Sequence, residues 1–321
     1  MSEGGTAAAP EGAHHTDGAY RESTLTAFAR LVRPAQWSKN GLLFLPFLFS
    51  LNLHWNLEDP GAAAGLLLRA ALAALIYCGL SGATYIINDI IDAERDRVHP
   101  TKRERPIAAG RVNPRDAGVV AVILLVVCLG ASTLLSVWLG LVAAAYVGVT
   151  VGYSVRLKNV MIVDVMAVAA AYVIRVLAGA VAIDVPISEW LYVCTTLAAL
   201  FISIGKRRAE AELMEDGAPN HRGTLDQYSV PLLNQMMAVV TPSTLIAYAL
   251  YTFTAPNLPP QMMLTIPFVI YGIFRYLYLA QGGRTAGAPE RVLLEDRPMI
   301  LTVGAWLAAI VIILLIFPRP A

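Results

Sequence analysis

The sequence is poor in charge and in cysteine. Only 15% of its 321 residues are Asp, Glu, Lys or Arg, whereas soluble globular proteins carry about 25%, so two ordinary soluble domains are not expected despite the length. The three cysteines lie inside apolar runs without metal-ligand spacing, which favours small core residues over a metal site. The net charge of +1 gives no reason to expect a nucleic-acid partner.

The first 20 residues also lack the basic and apolar regions of a secretory signal. They are small, polar and rich in Gly and Ala, which predicts a disordered tail over residues 1–24. We expect residues 25–321 to form a single domain.

Long apolar runs dominate the rest of the chain, which is 57% hydrophobic. A bilayer core about 30 Å thick needs roughly 20 apolar residues of α-helix. We therefore predict an all-α, polytopic membrane protein with nine transmembrane helices. The predicted spans are residues 36–54, 65–90, 116–137, 139–156, 161–183, 187–206, 232–254, 262–281 and 299–317. A tight turn near Trp138 and Gly140 is expected between the third and fourth spans.

The distribution of positive charge predicts the orientation of these spans. Nine spans place the termini on opposite sides, and 20 of the 24 lysines and arginines then fall on the side of the N-terminus and the longest loops. Positive charge concentrates on the cytosolic side of membrane proteins. We expect a cytosolic N-terminus and an extracytoplasmic C-terminus, and the formation of a homo-oligomer is left open.

A column of polar residues begins where the second predicted span ends. Asn88, Asp92 and Asp96 are four residues apart, so on a helix their side chains stack along one face. Such oxygen ligands repel one another unless a cation lies between them, and Mg²⁺ typically takes one or two carboxylates together with substrate phosphates. Ordinary salt bridges at a solvated helix end are the alternative, but a column that continues directly from a membrane span favours a site. We predict these three residues as metal ligands and catalytic residues.

A basic cluster follows the column, and arginine and lysine are phosphate-binding side chains. Its members are His99, Lys102, Arg103 and Arg105. Carboxylates for a metal beside cations for phosphate indicate a metal–diphosphate site. The polar column together with the run from His99 to Gly110 resembles the first signature of the UbiA superfamily of intramembrane prenyltransferases. The resemblance implies a nine-helix bundle with a central cavity facing the cytosol, and the use of Mg²⁺.

A later part of the sequence departs from the usual pattern of that superfamily. Most members hold a prenyl diphosphate with two aspartate-rich motifs, whereas only Asp164 remains after the fourth span. Residues 33–40, 153–159 and 205–210 resemble instead the branch that transfers phosphoribose to decaprenyl phosphate. The resemblance implies 5-phosphoribosyl-1-diphosphate (PRPP) as donor, a polyprenyl phosphate as acceptor, and a bacterial inner-membrane location. The product would be an arabinose-donor precursor for cell-wall arabinogalactan.

Such a site should be rich in cations, because PRPP carries a diphosphate and a separate 5-phosphate and the lipid adds another phosphate. The substrate-binding candidates at the inner face are Lys39, Lys102, Arg105, Tyr153, Arg156, Lys158, Asp164, Lys206, Arg207 and Glu210. Lys158, Lys206 and Arg207 are candidates for the 5-phosphate or the lipid phosphate, without assignment between the two. Asp164 is a candidate for a ribose hydroxyl or a second metal, and the one-turn spacing of Lys206 and Glu210 allows them to pair.

Arg175 is a further substrate-binding candidate, about 16 Å deeper than Asp164 along a helix. An arginine at that depth requires a polar environment, and contact with the lipid phosphate and structural pairing inside the bundle are equally open. Two other functions remain as alternatives. The first is a UbiA-type enzyme that joins a prenyl diphosphate to an aromatic acceptor, against which the single Asp164 argues. The second is a non-enzymatic transporter or scaffold for polyprenyl lipids, against which the carboxylate column argues.

Overall fold

The computed structural model describes residues 24–98, 102–215, 227–255, 258–281 and 295–318. Within these ranges the chain is helical, without a sheet, and has one isolated β-bridge between Leu51 and Trp55. The α-helices are α1 (Thr24–Leu31), α2 (Leu45–Phe49), α3 (Pro60–Arg97), α4 (Pro114–Leu135), α5 (Val137–Val155), α6 (Val163–Ala182), α7 (Glu189–Glu215), α8 (Val230–Thr254), α9 (Ile266–Gln281) and α10 (Arg297–Ile316). Shorter 3-10 helices cover Pro34–Phe44, Lys102–Glu104, Leu157–Asn159 and Pro260–Thr265. The all-α prediction is confirmed, and the predicted tail falls almost wholly outside the described residues.

Seven helical segments in the described part of the chain are long and apolar enough to cross a bilayer. They are α3, α4, α5, α6, α8, α10 and the segment Pro260–Ala280, which joins a 3-10 turn to α9. They correspond to the predicted second to fifth and seventh to ninth spans. The sixth predicted span lies within α7, which has 27 residues but is not among the seven. The count of nine spans therefore stays a prediction.

The prediction of one continuous α-helix over residues 36–54 is wrong. The chain forms an 11-residue 3-10 helix over Pro34–Phe44, here called the entry segment, and then the short helix α2. A 3-10 helix rises about 2 Å per residue, so the entry segment covers roughly 22 Å. Proline occupies the first turn of both pieces, where its missing N–H is tolerated. Hydropathy detects the apolar run but does not distinguish the two kinds of helix.

The membrane helices have local start signals in the sequence. Asp59, Asn113, Ser229 and Asp296 precede α3, α4, α8 and α10, and each accepts a hydrogen bond from a backbone N–H of the first turn. A proline follows each cap within two residues, at positions where its fixed φ suits a helix start. Helix α3 then runs for 38 residues, or about 57 Å. It is longer than a bilayer core, and its last turns carry the polar column.

The expected tight turn between the third and fourth spans is present. Ser136 alone separates α4 from α5, in an extended conformation. A Cβ on Gly140 would lie 2.4 Å from Thr133 Oγ1, so the two helices approach here as closely as a glycine allows. Helices that follow one another in sequence therefore pack side by side.

The core consists of several apolar clusters between the helices. One cluster surrounds Tyr77 and Tyr146 and joins α3, α5 and α6. Another surrounds Phe201, Leu233 and Tyr276 and joins α7, α8 and α9. Large apolar side chains also cover the outside, as at Leu134 and Val126 on α4, which is the pattern of a lipid-facing surface. This packing brings the end of α3, the α5–α6 connection and the end of α7 to the same end of the bundle.

Candidate active site

The polar column lies on the last three turns of α3, as its spacing predicts. Asp96 is buried, and Asn88 and Asp92 are half-buried. Each carboxylate pairs with one of the predicted phosphate-binding cations. Lys158 Nζ lies 2.6 Å from Asp92 Oδ1, and Arg105 Nη1 lies 2.6 Å from Asp96 Oδ2. The column is thus a group of charge-assisted hydrogen bonds and not a row of solvated side chains.

A fourth polar residue of α3 belongs to the same cluster although its spacing did not indicate it. Asp89 is only 2% exposed, and its Oδ1 accepts from Arg105 Nη1 at 3.1 Å and also pairs with Arg33. Arg105 therefore bridges Asp89 and Asp96. Arg33 precedes the entry segment in a left-handed conformation with φ 50°, and its guanidinium lies 5.1 Å from the ring centroid of Tyr85.

The α5–α6 connection supplies Lys158 to the cluster. This lysine is buried on the 3-10 turn Leu157–Asn159. Ile162, just before α6, has φ 67°, a rare conformation for a β-branched residue that the surrounding structure must hold in place. One such contact is the backbone N–H of Ile162, which donates to Tyr228 Oη at 2.7 Å.

A second ionic cluster lies where α6 begins and α7 approaches its end. Arg207 Nε lies 2.9 Å from Asp164 Oδ2, with both side chains at most 3% exposed. The N–H is not directed at that oxygen, so the contact is an ion pair without a hydrogen bond. Arg207 also donates to Tyr153 Oη at 3.0 Å and pairs with Glu210, which is three residues further along α7.

Tyr228 completes this second cluster, although no local sequence pattern indicated it. Its hydroxyl donates to Asp164 Oδ1 at 2.7 Å. Burial raises the pKa of Tyr228 well above its ordinary value, and the hydrogen bond to Asp164 raises it further. The phenol therefore stays protonated at neutral pH and remains a donor to the carboxylate.

The remaining predicted cations differ in exposure. Lys39, Lys102 and Lys206 are half-buried, whereas Arg156 is exposed. His99 falls outside the described residues. The structure therefore gathers Lys158, Arg105 and Arg207 into ionic clusters, while Arg156 points toward the surface.

Arg175 lies apart from both clusters in the interior of the bundle. It is 4% exposed. Its guanidinium donates to Asn40 Oδ1 at 2.9 Å, to the carbonyl of Ala171 at 2.8 Å and to Tyr146 Oη at 2.8 Å. These partners are neutral, and they belong to the bundle itself, so the contacts observed are those of a structural role.

The donor set fits a divalent ion that also binds phosphate. No group of three or more His, Cys, Asp or Glu side chains converges on a common point in the described part of the chain, so these residues alone do not form a complete metal cage there. Mg²⁺ is usually held by one or two carboxylates with substrate phosphates completing its shell. Asp92 and Asp96, with the amide oxygen of Asn88 on the same face, supply that number of hard oxygen ligands.

Comparison with known proteins identifies the family. The family model described as the UbiA prenyltransferase family matches residues 43–218. A decaprenyl-phosphate phosphoribosyltransferase of Mycolicibacterium smegmatis is 32% identical over 300 residues, covering 90% of this chain and 92% of the relative. A protein of the same name from Mycobacterium tuberculosis is 33% identical over 285 residues, covering 88% and 92%. The chain belongs to the UbiA prenyltransferase family.

The fold of this UbiA-family chain agrees with that assignment. A UbiA homologue of Archaeoglobus fulgidus, solved with GPP and Mg²⁺ bound, superposes with a TM-score of 0.69 at 18% identity, covering 89% of this chain and 99% of the homologue. The resemblance noted in the sequence is therefore confirmed at the level of family and fold.

Proposed function

We propose that this UbiA-family chain transfers 5-phosphoribose from PRPP to a polyprenyl phosphate such as decaprenyl phosphate, with release of diphosphate. The observation that carries the proposal is the direct pairing of Asp92 with Lys158 and of Asp96 with Arg105. Ligands for a divalent ion and ligands for phosphate thus lie within hydrogen-bond distance of each other at one helix end. The names of relatives that are 32–33% identical over about nine-tenths of the chain support the same donor and acceptor.

Asn88, Asp92 and Asp96 would hold Mg²⁺, which when bound supplies neutralisation of the negative charge on the diphosphate leaving group. Arg105 and Lys158 now pair with the carboxylates. Anionic phosphate oxygens compete for the same two cations, because arginine and lysine bind phosphate as readily as carboxylate. Arg105 and the neighbouring Lys102 would then stabilise the leaving diphosphate electrostatically.

The proposed reaction is one displacement at C1 of the ribose. The bond from C1 to the diphosphate oxygen breaks, and a bond from C1 to an oxygen of the lipid phosphate forms. C1 develops oxocarbenium character as the bond breaks. The lipid phosphate is already anionic at neutral pH, so no general base is needed. Diphosphate leaves with the bonding electrons, and C1 is inverted.

The second ionic cluster would serve the other phosphates. Asp164 already contacts Arg207 and Tyr228, so we assign it to the positioning of Arg207 and not to a second metal. Arg207, Tyr153 and Glu210 form the adjoining wall. Lys39, Lys206 and Arg156 are further proposed ligands for a phosphate that approaches from the membrane surface.

We also propose that this site faces the cytosol of a bacterium, with the C-terminus outside the inner membrane. The excess of lysine and arginine on the side of the polar column supports this orientation. PRPP is a water-soluble polyanion and would reach the site from the aqueous side, whereas the lipid tail remains in the bilayer.

The proposal is tested by incubation of purified protein in nanodiscs with PRPP labelled in the ribose, decaprenyl phosphate and Mg²⁺. We expect a labelled lipid and an equivalent amount of released diphosphate. If the labelled lipid is not formed but a prenyl diphosphate is transferred to an aromatic acid, the chain is an aromatic prenyltransferase. No turnover of either donor by folded protein would favour a transport or scaffold role.

A further inference from the structure

The entry segment is fixed against the bundle by a close approach of its backbone to α6. A Cβ on Gly179 of α6 would lie 2.1 Å from the carbonyl oxygen of Leu43, so only glycine leaves room for the segment at this position. Just before the segment, a Cβ on Gly82 of α3 would lie 3.1 Å from Cβ of Val32, a tight contact with a side chain. The chain thus passes close to α3 before the segment begins, and the segment itself packs against α6 near its end.

Arg175 makes the polar contact that holds the same segment. Its Nε donates to Asn40 Oδ1 at 2.9 Å, and Asn40 in turn donates from Nδ2 to Cys78 Sγ of α3 at 3.2 Å. A second hydrogen bond runs from Arg175 to Tyr146 of α5 at 2.8 Å, where the Tyr146 hydroxyl also contacts Ser81 Oγ of α3 at 3.1 Å. One guanidinium thus connects the entry segment with α3, α5 and α6.

The partners of Arg175 decide between its two possible roles. A buried arginine that waits for an anion would be expected to face a cavity or to have unused donors directed toward one. Here the guanidinium is buried, and its hydrogen bonds end on Asn40, Ala171 and Tyr146 of the bundle. Its face lies 4.8 Å from the ring centroid of Tyr146. In an apolar interior these bonds are strong, and losing one leaves a buried polar group without a partner.

The opposite end of the entry segment reaches the proposed active site. Arg33 directly precedes it and pairs with Asp89, which shares Arg105 with Asp96. Lys39 lies next to Asn40 in the sequence, within the segment itself. A shift of the segment would therefore displace both Arg33 and Lys39 relative to the polar column.

We propose that Arg175, with Asn40 and Gly179, sets the position of the entry segment. Through the segment it positions Arg33, which pairs with Asp89 beside the polar column, and Lys39, a proposed phosphate ligand. Arg175 itself contacts no substrate. The inference rests on the proposed function only where it concerns phosphate binding, because the position of the segment is a property of the folded chain. It assigns a role in the reaction to three residues that lie inside the bundle.

The test combines hydrogen–deuterium exchange with kinetics in nanodiscs for Arg175→Met, Asn40→Leu and Gly179→Ala. Gly148→Ala on α5 is the control, because a Cβ there meets nothing within 4 Å. Each of the three variants should speed amide exchange in residues 34–44 by about tenfold or more while α4 and α5 exchange as in the parent. The same variants should raise KM for PRPP, and Arg175→Met combined with Asn40→Leu should add little to either single change.

Three results would overturn the inference. Unchanged exchange in residues 34–44 would show that Arg175 and Gly179 do not hold the segment. Faster exchange across α4 and α5 as well would reduce their role to general stability. Loss of activity in Arg175→Met with a normal Gly179→Ala enzyme would make Arg175 a ligand of substrate. The exchange data test what holds the entry segment even if the parent protein does not transfer phosphoribose. Failure of this inference can therefore be distinguished from failure of the proposed function.

Discussion

Asp92 and Asp96 contact protein cations in the structure and are the proposed ligands of a divalent ion. In the structure they pair with Lys158 and Arg105, and these charge-assisted hydrogen bonds hold the carboxylates in the cluster. A phosphate that draws the cations away would free the carboxylates for a metal at the same moment. The ion pairs are therefore consistent with a site that binds metal and diphosphate together.

Replacement of Asp92 by Ala should abolish phosphoribose transfer while the protein stays folded, because it removes one of the two carboxylates proposed to bind Mg²⁺. Glu94→Ala is the matched control on the same helix, since the Glu94 side chain is 83% exposed and pairs only with the neighbouring Arg97 among the described residues. Initial rates with labelled PRPP and thermal unfolding in detergent measure the two effects. Near-normal turnover by Asp92→Ala would remove Asp92 from the metal site.

Arg207→Met should lower stability more than Asp164→Asn does. Removal of Arg207 leaves the buried Asp164 with Tyr228 as its remaining partner, whereas Arg207 keeps Glu210 and Tyr153 when Asp164 is neutralised. Breaking a buried ion pair from one side typically costs about 3–5 kcal/mol. Thermal unfolding of both variants in the same detergent gives the order, and equal losses would contradict the asymmetry argued from these contacts.

Spacing along the chain predicted the site residues that share a helix. It missed the pairs whose members belong to different elements. Asn88, Asp92 and Asp96 follow from an i, i+4 pattern. Asp89 and Arg33 are 56 residues apart in the sequence, and Tyr228 lies 64 residues after Asp164, so no local pattern connects either pair. Arg33 lies in a segment that resembles a known motif. Its partner Asp89 is brought to it only by the packing of the chain around Arg33 against α3.

Helix α10 begins with a capping residue that also forms an ion pair. Asp296 accepts from the backbone N–H of Met299 at 2.9 Å and binds Arg275 of α9 through both carboxylate oxygens. The hydrogen bond from Arg275 lowers the pKa of Asp296 below its ordinary value of 3.8, and the Met299 amide contributes in the same direction. Because the pKa of Asp296 is lower in the folded protein, its carboxylate stabilises the fold at pH values above its ordinary pKa. This stabilisation is lost as the pH falls through the pKa of the folded state.

Asp296→Ala should lower the unfolding temperature by a few degrees, and Asp296→Asn by less, because asparagine still caps a helix but forms no ion pair. The difference between the parent protein and Asp296→Asn should persist from neutral pH down to about pH 4 and disappear only below it. Unfolding scans across this pH range provide the measurement. A difference that vanishes already near pH 6 would show that the carboxylate is not held by Arg275.

The apolar runs predicted most of the membrane helices but not the type of the first one. Runs such as 116–137 and 299–317 coincide with α4 and α10 to within a few residues, since a bilayer demands a length and a composition that the sequence displays directly. The predicted first run, residues 36–54, instead begins with the 3-10 entry segment, which contacts Gly179 and accepts a hydrogen bond from Arg175. These contacts are tertiary, so hydropathy alone does not contain them.

At the scale of the whole molecule, the seven spanning segments and the apolar outer surface describe an integral membrane protein. The polar column and both ionic clusters lie at one end of the bundle. Exposed residues before α3, such as Leu57, lie at the end of α3 opposite to that column. The orientation we propose therefore places the end with the polar column in the cytosol and the end with Leu57 outside the membrane.

A single cysteine at Leu57 should react with a membrane-impermeant maleimide in intact bacterial cells, whereas a cysteine at Glu104 should react only after permeabilisation. Both positions are exposed, and the native cysteines lie within the helices, where Cys128 is buried. Gel-shift labelling of the two variants gives the result. The reverse pattern would place the site outside the cytosol and remove its access to PRPP.

We propose that Asn88, Asp92 and Asp96 hold a divalent ion that binds the diphosphate of PRPP at the inner end of α3. The most direct measurement is a cryo-electron microscopy structure in nanodiscs with PRPP and Mg²⁺. We expect an ion about 2.0–2.1 Å from oxygens of Asp92 and Asp96, with the diphosphate completing its shell and Arg105 and Lys158 turned toward phosphate. PRPP bound elsewhere, or bound here while both carboxylates keep their present partners, would contradict the account.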